Sequence, residues 1–318
     1  MDFSALNSVV ATLFIIMVCG FVSRKIKIID DTASKKLSAI ILKIGQPALI
    51  ISALSSAQYS QENLKLALIG TAIGFALHII LAILAYFLCL PYKKNADERK
   101  ISEFSMIFAN CAFIGFPIFK ALFGDIGVYM ASFIVISFNI LIWTLGISIF
   151  ARGRNDIKLT VKKALLNLGT IPCIIGFVLY LLKAPAIGFK LPEFISTGLQ
   201  YLSNLCTPIS LLVTGSLIAT QKPKKIFCTW KLYYFNLVKL FVLPIIICLI
   251  CKLVGLPEIY AMFATATAAL PSAAMVSMMS ETYGLDSGYS SLAVGTSSLI
   301  SVLSIPLVLR FAQWILTI

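Results

Sequence analysis

Apolar stretches of about twenty residues recur along the whole chain, and this repetition restricts the fold more than any other feature. A helix needs about 20 consecutive apolar residues to cross a bilayer. Ten stretches meet this requirement and are numbered spans 1 to 10: 5–23, 36–54, 64–90, 102–123, 126–151, 166–183, 194–219, 231–254, 259–281 and 288–317. With 59% apolar residues and a mean hydropathy of +0.97, the chain is too apolar for a soluble domain. The sequence predicts an all-α integral membrane protein with ten transmembrane helices.

The net charge of +13 follows the predicted topology. Most basic residues lie in alternate loops, at Arg24, Lys25, Lys27, Lys35, Lys36, Lys93, Lys94, Arg99, Lys100, Arg152, Arg154, Lys158, Lys162, Lys163, Lys222, Lys224, Lys225 and Lys231. This bias places those loops in the cytoplasm. Both termini are then extracytoplasmic, in a plasma-membrane protein. Because the charge follows topology, it does not indicate nucleic-acid binding. No basic region precedes span 1, so no cleavable signal peptide is predicted.

The two halves of the chain resemble each other at equivalent spans. The matching positions are Gly20-Phe-Val and Gly176-Phe-Val in spans 1 and 6, Pro47 and Pro208 in spans 2 and 7, and Pro117 and Pro271 in spans 4 and 9. Because each half has five spans, the second half enters the membrane from the opposite side. The sequence therefore predicts two inverted five-helix repeats, at 1–151 and 152–318.

Spans 4 and 9 are interrupted by proline within Asn110–Pro117 and Ala268–Ala274. Proline removes a helical hydrogen bond, and in hydrocarbon the freed backbone groups need other partners. A structural kink is one interpretation of each break. If instead Pro117 and Pro271 start second half-helices, each presents unpaired N–H groups and a positive dipole end near mid-membrane. Antiparallel spans 4 and 9 would cross there and bind an anion.

Polar side chains near the two breaks are the candidate substrate ligands. The predicted substrate-binding residues are Asn110, Gly115, Pro117, Pro271, Ser272, Asn139 and Lys239, with Thr265, Thr267 and Ser277 on nearby turns. Lys239, near the middle of span 8, has two interpretations: a role near the anion or in gating, or an ammonium satisfied by backbone carbonyls. We expect His78 to be a packed, neutral ring. We expect Lys43 to extend to the cytoplasmic interface.

The sequence offers little for catalysis or metal binding. It lacks a His or carboxylate cluster, a nucleophile elbow and a phosphate loop, so no enzyme and no catalytic residue is predicted. Cys248 and Cys251 lie in an apolar helix without a nearby His or carboxylate, so no metal site is predicted. All thirteen carboxylates lie in loops or near span ends, which argues against a buried proton carrier. No cofactor is predicted, and coupling to Na⁺, coupling to H⁺ and uncoupled transport stay open.

The segment Asn110-Cys-Ala-Phe-Ile-Gly-Phe-Pro117 resembles the fourth helix of the auxin efflux carrier family, which includes plant PIN proteins and bacterial malate or malonate permeases. Ala269-Leu-Pro271, Glu281-Thr-Tyr-Gly284 and the Ser/Thr-rich span 10 resemble its closing helices. The resemblance implies a carrier of the bile-acid-symporter type, with a scaffold of spans 1, 2, 6 and 7 and a moving domain of spans 3–5 and 8–10. The short loop between spans 5 and 6 is similar to that of prokaryotic members. A homodimer through the scaffold fits the same resemblance.

The leading functional hypothesis is a secondary carrier of a small organic anion, a mono- or dicarboxylate of the malate or malonate type. It would work by elevator-like movement at the crossing of spans 4 and 9, with the anion and the lipid bilayer as its partners. The alternatives are a ligand sensor that keeps the carrier fold without transporting, a sodium-coupled carrier of a larger amphipathic anion, and a channel.

Overall fold

The computed structural model describes residues 3–92, 95–154, 169–221 and 229–318. This part of the chain is helical and contains no β-strand, apart from one isolated antiparallel bridge. The helices are α1 Phe3–Lys25, α2 Asp31–Ser56, α3 Gln61–Leu88, α4 Ala96–Ile107, α5 Cys111–Gly124, α6 Ile126–Ala151, α7 Thr170–Leu182, α8 Glu193–Thr220, α9 Trp230–Leu253, α10 Glu258–Ala269, α11 Met275–Thr282 and α12 Ser287–Thr317. The predicted cytoplasmic residues Lys93, Lys94, Lys158, Lys162, Lys163, Lys222, Lys224 and Lys225, and the first residues of span 6, lie outside the described residues.

Seven of these helices are long and apolar enough to cross a membrane: α1, α2, α3, α6, α8, α9 and α12. Their outer faces carry exposed apolar side chains such as Ile83, Leu303 and Leu307. Exposed apolar surface on this scale is stable only when lipid covers it. The chain is therefore a multi-pass membrane protein.

Spans 4 and 9 are each divided into two helices. The first break separates α4 from α5 at residues 108–110, and the second separates α10 from α11 at 270–274. Between α5 and α6 the chain turns at Gly124, which has a φ of 64°. This left-handed conformation favours glycine because it lacks a Cβ. This turn lies between predicted spans 4 and 5, which end at 123 and begin at 126.

Three prolines follow wide helical turns inside otherwise continuous segments. Pro47, Pro117 and Pro244 lie two residues after the π-helical turns Ile41–Gly45, Cys111–Gly115 and Val238–Val242. Proline cannot donate the helical hydrogen bond and its ring clashes with the preceding turn. One extra residue in that turn removes the clash and keeps the helix going. The wide turns also change which residues face the interior, and Lys239 lies in one of them.

The helices α1 and α8 pack with their backbones in contact. A Cβ at Gly20 would lie 2.2 Å from the Leu212 carbonyl oxygen, and one at Gly215 would lie 1.9 Å from the Met17 carbonyl oxygen. No real Cβ tolerates such distances, so both positions need glycine. Small residues allow this close approach between helices in lipid, where van der Waals contact drives association. The α1–α8 pair is consequently a rigid part of the molecule.

Candidate functional site

The two helix breaks lie against each other and pair through their backbones. Ala109 and Ser272 form an antiparallel bridge. The Asn110 amide donates to the Pro271 carbonyl at 2.8 Å, and the Ala273 amide donates to the Phe108 carbonyl at 3.0 Å. We call the paired segments 108–110 and 271–273 the crossover. Backbone groups that each break frees are thus satisfied by the other break, as the buried environment requires.

The half-helix after the first break begins at Cys111, with Asn110 as its N-cap, and not at Pro117, the start considered from sequence. The Asn110 carboxamide oxygen accepts a hydrogen bond from the Phe113 amide at 3.2 Å and so caps α5. Asparagine is among the best helix N-caps because its side chain satisfies a free amide of the first turn. Pro117 lies one wide turn later, at the beginning of the regular α-helix. Among the described residues, Asn110 forms its hydrogen bonds through Oδ1 and the backbone, and its Nδ2 group takes part in none of them.

The second half-helix starts at Met275, four residues after Pro271, so this proline does not begin it either. Pro271 lies in extended chain, and its carbonyl is the acceptor for Asn110. The neighbouring Ser272 is fully buried: its amide donates to the Ser297 hydroxyl, and its own hydroxyl donates to the Ser105 carbonyl, both at 3.2 Å. Ser272 therefore holds the second break in place, and its hydroxyl is already used for protein contacts.

Gly115, in the first turns of α5, is packed closely against the second break. A Cβ here would be 2.9 Å from the Phe119 ring and 3.0 Å from the Leu270 side chain. Leu270 belongs to the second break, so the glycine keeps space for the opposite segment. Its role in the structure is packing at the crossover.

Lys239 is fully buried where α4 and α10 end. Its ammonium donates to the carbonyls of Met106 at 3.2 Å and Ala268 at 3.3 Å. The last carbonyls of a helix lack internal partners and carry the negative end of the helix dipole. One cation thus neutralises two helix C-termini. This environment matches the second interpretation from sequence, in which carbonyls satisfy the ammonium.

The N-termini of the helices that follow the two breaks lie against a small cavity. This cavity has a volume of about 30 Å³ and lies against Phe113 of α5 and against Ala274 and Met275 at the start of α11. Ser210 of α8 and Ser277 of α11 also line it, and both are buried with hydroxyls that have no hydrogen-bond partner in the described part of the chain. We call it the serine cavity. A buried polar group without a partner is costly, so these hydroxyls are suited to receive water or a polar ligand.

A larger cavity of about 110 Å³ adjoins the serine cavity and shares Leu42, Met275 and Met278 with it. Its lining also includes Gln46, Trp143, Gly169, Met279 and Tyr283. We call it the methionine cavity. Unbranched, polarizable methionine side chains adapt to ligands of different shape. The two cavities together give a mostly apolar site with a polar end at the helix N-termini.

Gln46 lines the methionine cavity, and Asn139 lies behind it, in contact with Gln46. Gln46 Nε2 donates to the Asn139 side-chain oxygen Oδ1 at 3.4 Å, and the Asn139 side-chain Nδ2 donates to the Val135 carbonyl at 2.8 Å. Asn139 thus lies beside the cavity but not in the crossover itself. Sequence reasoning missed Gln46 and Ser210. The sequence did contain a signal for Gln46, because a polar glutamine inside an apolar span, next to Pro47, is unusual.

The remaining polar candidates bond within their own helices. Thr265 and Thr267 donate to carbonyls four residues earlier. The His78 Nδ1 group donates to the Gly74 carbonyl at 2.7 Å, and the ring packs on Phe108 beside the crossover. Lys43 is exposed, as a side chain extending to the interface would be.

One carboxylate is buried more deeply than the sequence suggested. Glu103 in α4 is only 2% exposed, and Arg152 donates to both of its oxygens at 2.9 Å. These hydrogen bonds raise the pKa of the Arg152 guanidinium. A two-bonded pair of this kind is strong and fixed in geometry. Glu103 is therefore a neutralised structural anion.

The fold and the buried crossover define a helical membrane protein built around two broken segments. Residues 6–309 match the family model described as membrane transport protein. The chain belongs to this family, the auxin efflux carrier family that its motifs resemble. An uncharacterized transporter of Methanocaldococcus jannaschii is 26% identical over 286 residues, covering 87% of this chain and 89% of that protein. The protein is accordingly a membrane transporter.

Proposed function

We propose that this transporter is a secondary carrier of a small organic anion, a mono- or dicarboxylate. The observation that carries the proposal is the polarity of the crossover. The N-termini of α5 and α11 adjoin the serine cavity, whereas Lys239 already occupies the carbonyls at the C-termini of α4 and α10. Helix N-termini attract anions through free amides and the helix dipole. An anion is therefore the ligand that the serine cavity favours.

A carboxylate would bind with its charged end in the serine cavity and its carbon chain toward the methionine cavity. The Ser210 and Ser277 hydroxyls would donate to the carboxylate, since the described residues offer them no other partner. The apolar lining would accept the remaining carbon atoms. The Asn110 Nδ2 group is a further donor at the start of α5.

The architecture behind this function would be ten membrane spans in two inverted repeats, 1–151 and 152–318. Span 4 would consist of α4 and α5, and span 9 of α10 and α11. The close α1–α8 contact at Gly20 and Gly215 supports a rigid scaffold from spans 1, 2, 6 and 7. Spans 3–5 and 8–10 would move against it and carry the crossover across the membrane. Such a carrier would lie in the plasma membrane of a prokaryotic cell with both termini outside.

The described conformation would be open toward the cytoplasm. The methionine cavity reaches Tyr283, whose carbonyl accepts from Arg154 in the basic loop after span 5. At the opposite end, the hydroxyls of Tyr129 and Tyr180 lie 2.9 Å apart, and Tyr129 donates to the Asn63 carbonyl at 2.6 Å. This contact joins the moving domain to the scaffold and would close the outer side.

Transport would not need a coupling ion at the crossover. Sodium would favour the carbonyl oxygens at helix C-termini, and the Lys239 ammonium already binds them. The buried carboxylate Glu103 is paired with Arg152 and is poorly suited to carry a proton. A membrane potential drives each negative charge outward with about 2.3 kcal/mol per 100 mV, which is sufficient for efflux.

Reconstituted liposomes test the proposal. With an inside-positive potential, we expect saturable uptake of labelled malonate, malate or lactate, and counterflow when unlabelled substrate is inside. Ser277→Ala should raise the half-saturating concentration about fivefold, the cost of one lost hydrogen bond. Ser56→Ala is the matched control, because Ser56 is exposed and bonds only within its helix. An absence of flux above empty vesicles at either polarity would contradict the proposal, and flux without counterflow would indicate a channel.

A further inference from the structure

Tyr86, near the end of α3, has two guanidinium groups close to its ring. The central guanidinium carbon of Arg99 lies 5.2 Å from the ring centroid, and that of Arg152 lies 5.4 Å from it. Arg99 comes from α4 and Arg152 follows α6, so three separate helices contribute. Cations at this distance from an aromatic ring are attracted to it. The ring therefore holds two like charges near one another.

Among residues 3–92, 95–154, 169–221 and 229–318, carboxylates neutralise only one of these two charges. Arg152 is paired with the buried Glu103 through two hydrogen bonds. Arg99 has no carboxylate partner among the described residues, and its buried Nε atom has no hydrogen-bond acceptor. The nearby carboxylate of Glu98 is bound instead by Lys231. With Glu103 counted, the cluster of Tyr86, Arg99 and Arg152 thus keeps one net positive charge and an unused donor.

An exposed apolar stripe leads directly to this cluster. Ile79, Ile83 and Tyr86 are spaced four and three residues apart on α3, so they share one face of the helix. All three are exposed, as is the adjacent Phe87, whose ring packs against Tyr86. Because α3 is long and apolar enough to span the membrane, this face contacts lipid. Tyr86 lies where the apolar face ends and the basic residues begin.

We propose that the cluster and the stripe together bind an anionic phospholipid. The phosphate of the headgroup accepts from the Arg99 guanidinium, which presents planar donors matched to phosphate oxygens. The acyl chains lie along Ile79 and Ile83. A free phosphate ion would use only the charged end, and a zwitterionic lipid would bring its own cation to an already positive cluster. The bound lipid belongs to the leaflet on the side of the basic loops.

Native mass spectrometry of the full chain in mild detergent tests this site. The protein is titrated with phosphatidylglycerol, with phosphatidylcholine, or with glycerol phosphate as the headgroup without chains. We expect retention of phosphatidylglycerol above the other two. Arg99→Gln should weaken phosphatidylglycerol binding about fivefold, the effect of one basic residue at an anionic surface. Tyr86→Leu, which keeps the apolar stripe but removes the ring, should also weaken it.

Lys36→Gln is the matched control, because Lys36 is an exposed basic residue on the same predicted side of the membrane. It should leave phosphatidylglycerol binding unchanged. Equal losses in the Arg99 and Lys36 variants would overturn the proposal, because they would show a general charge effect. Equal retention of phosphatidylcholine would overturn it as well, and retention of glycerol phosphate alone would indicate an anion site without a lipid.

Discussion

The amide of Asn110 and the carbonyl of Pro271 are joined by a 2.8 Å hydrogen bond. This bond links segments that are far apart in the chain and lies in the buried interior. It closes the gap that each helix break opens, because a backbone donor freed in one segment meets an acceptor freed in the other. The crossover is therefore a paired element, and a change in the backbone of one break will disturb the hydrogen bonds of the other.

Asn110→Ala should weaken substrate binding about tenfold while the protein still folds. The variant removes the α5 cap, which costs about 1 kcal/mol of stability, and also removes the free Nδ2 donor. The backbone bond to Pro271 does not involve the side chain and should persist. Thermal unfolding and substrate titration on the purified protein would measure both effects. Asn7→Ala, at an exposed position of α1, should change neither, and an unchanged affinity in the Asn110 variant would place the site elsewhere.

Lys239→Ala should destabilise the protein by roughly 3 kcal/mol, because two buried carbonyls lose their charged partner. The vacated position should then accept a small cation. We expect the unfolding temperature of this variant to rise when NaCl replaces choline chloride, while the wild-type protein shows no such difference. A variant as stable as the wild type would refute the role of Lys239 as a cap of two helix ends.

Gly115→Ala should destabilise the protein by about 1–3 kcal/mol through overpacking at the crossover. The added methyl group meets Phe119 and Leu270 at or below 3.0 Å. Gly198→Ala is the matched control, because a Cβ there has nothing within 4 Å; it should be neutral or stabilising by up to about 1 kcal/mol. Equal unfolding temperatures for the two variants would show that the crossover is not tightly packed.

Arg152→Gln should destabilise the protein by about 3 kcal/mol, since it leaves the buried Glu103 carboxylate without its partner. The double variant Glu103→Gln with Arg152→Gln should recover part of this loss, because two neutral amides replace an unpaired charge. A double-mutant cycle on unfolding temperatures measures the coupling. Additive effects of the two single changes would mean that the pair contributes nothing.

The apolar pattern was sufficient to predict the class and most helix positions. Spans 1, 3 and 10 coincide closely with α1, α3 and α12, because each depends on a local run of apolar residues. The motif from Asn110 to Pro117 was also sufficient to indicate the family. One interpretation of the sequence started the half-helices at the prolines, whereas the helices begin at Cys111, capped by Asn110, and at Met275. Local propensity marks a break, but capping and backbone pairing decide where the helix resumes.

The candidate site was only partly accessible from sequence. Asn110 and Ser277 stood out as polar residues near the breaks. Ser210 and Gln46 did not, because their importance comes from cavities formed with other helices. Lys239 was visible as a buried charge, but its environment depends on carbonyls of α4 and α10 that reach it only in the fold.

The sequence by itself determined that the chain spans a membrane, that it is helical, and that two segments are interrupted. These properties follow from hydrophobicity and from the missing proline donor, which are fixed by residue type and local order. Only the tertiary structure decided that the breaks pair at Asn110 and Pro271. It also decided that Lys239 binds the carbonyls at the C-termini of α4 and α10, whereas no protein cation occupies the serine cavity among the described residues. Those choices depend on hydrogen bonds between distant segments, and in a bilayer interior each such group must find its partner within the protein.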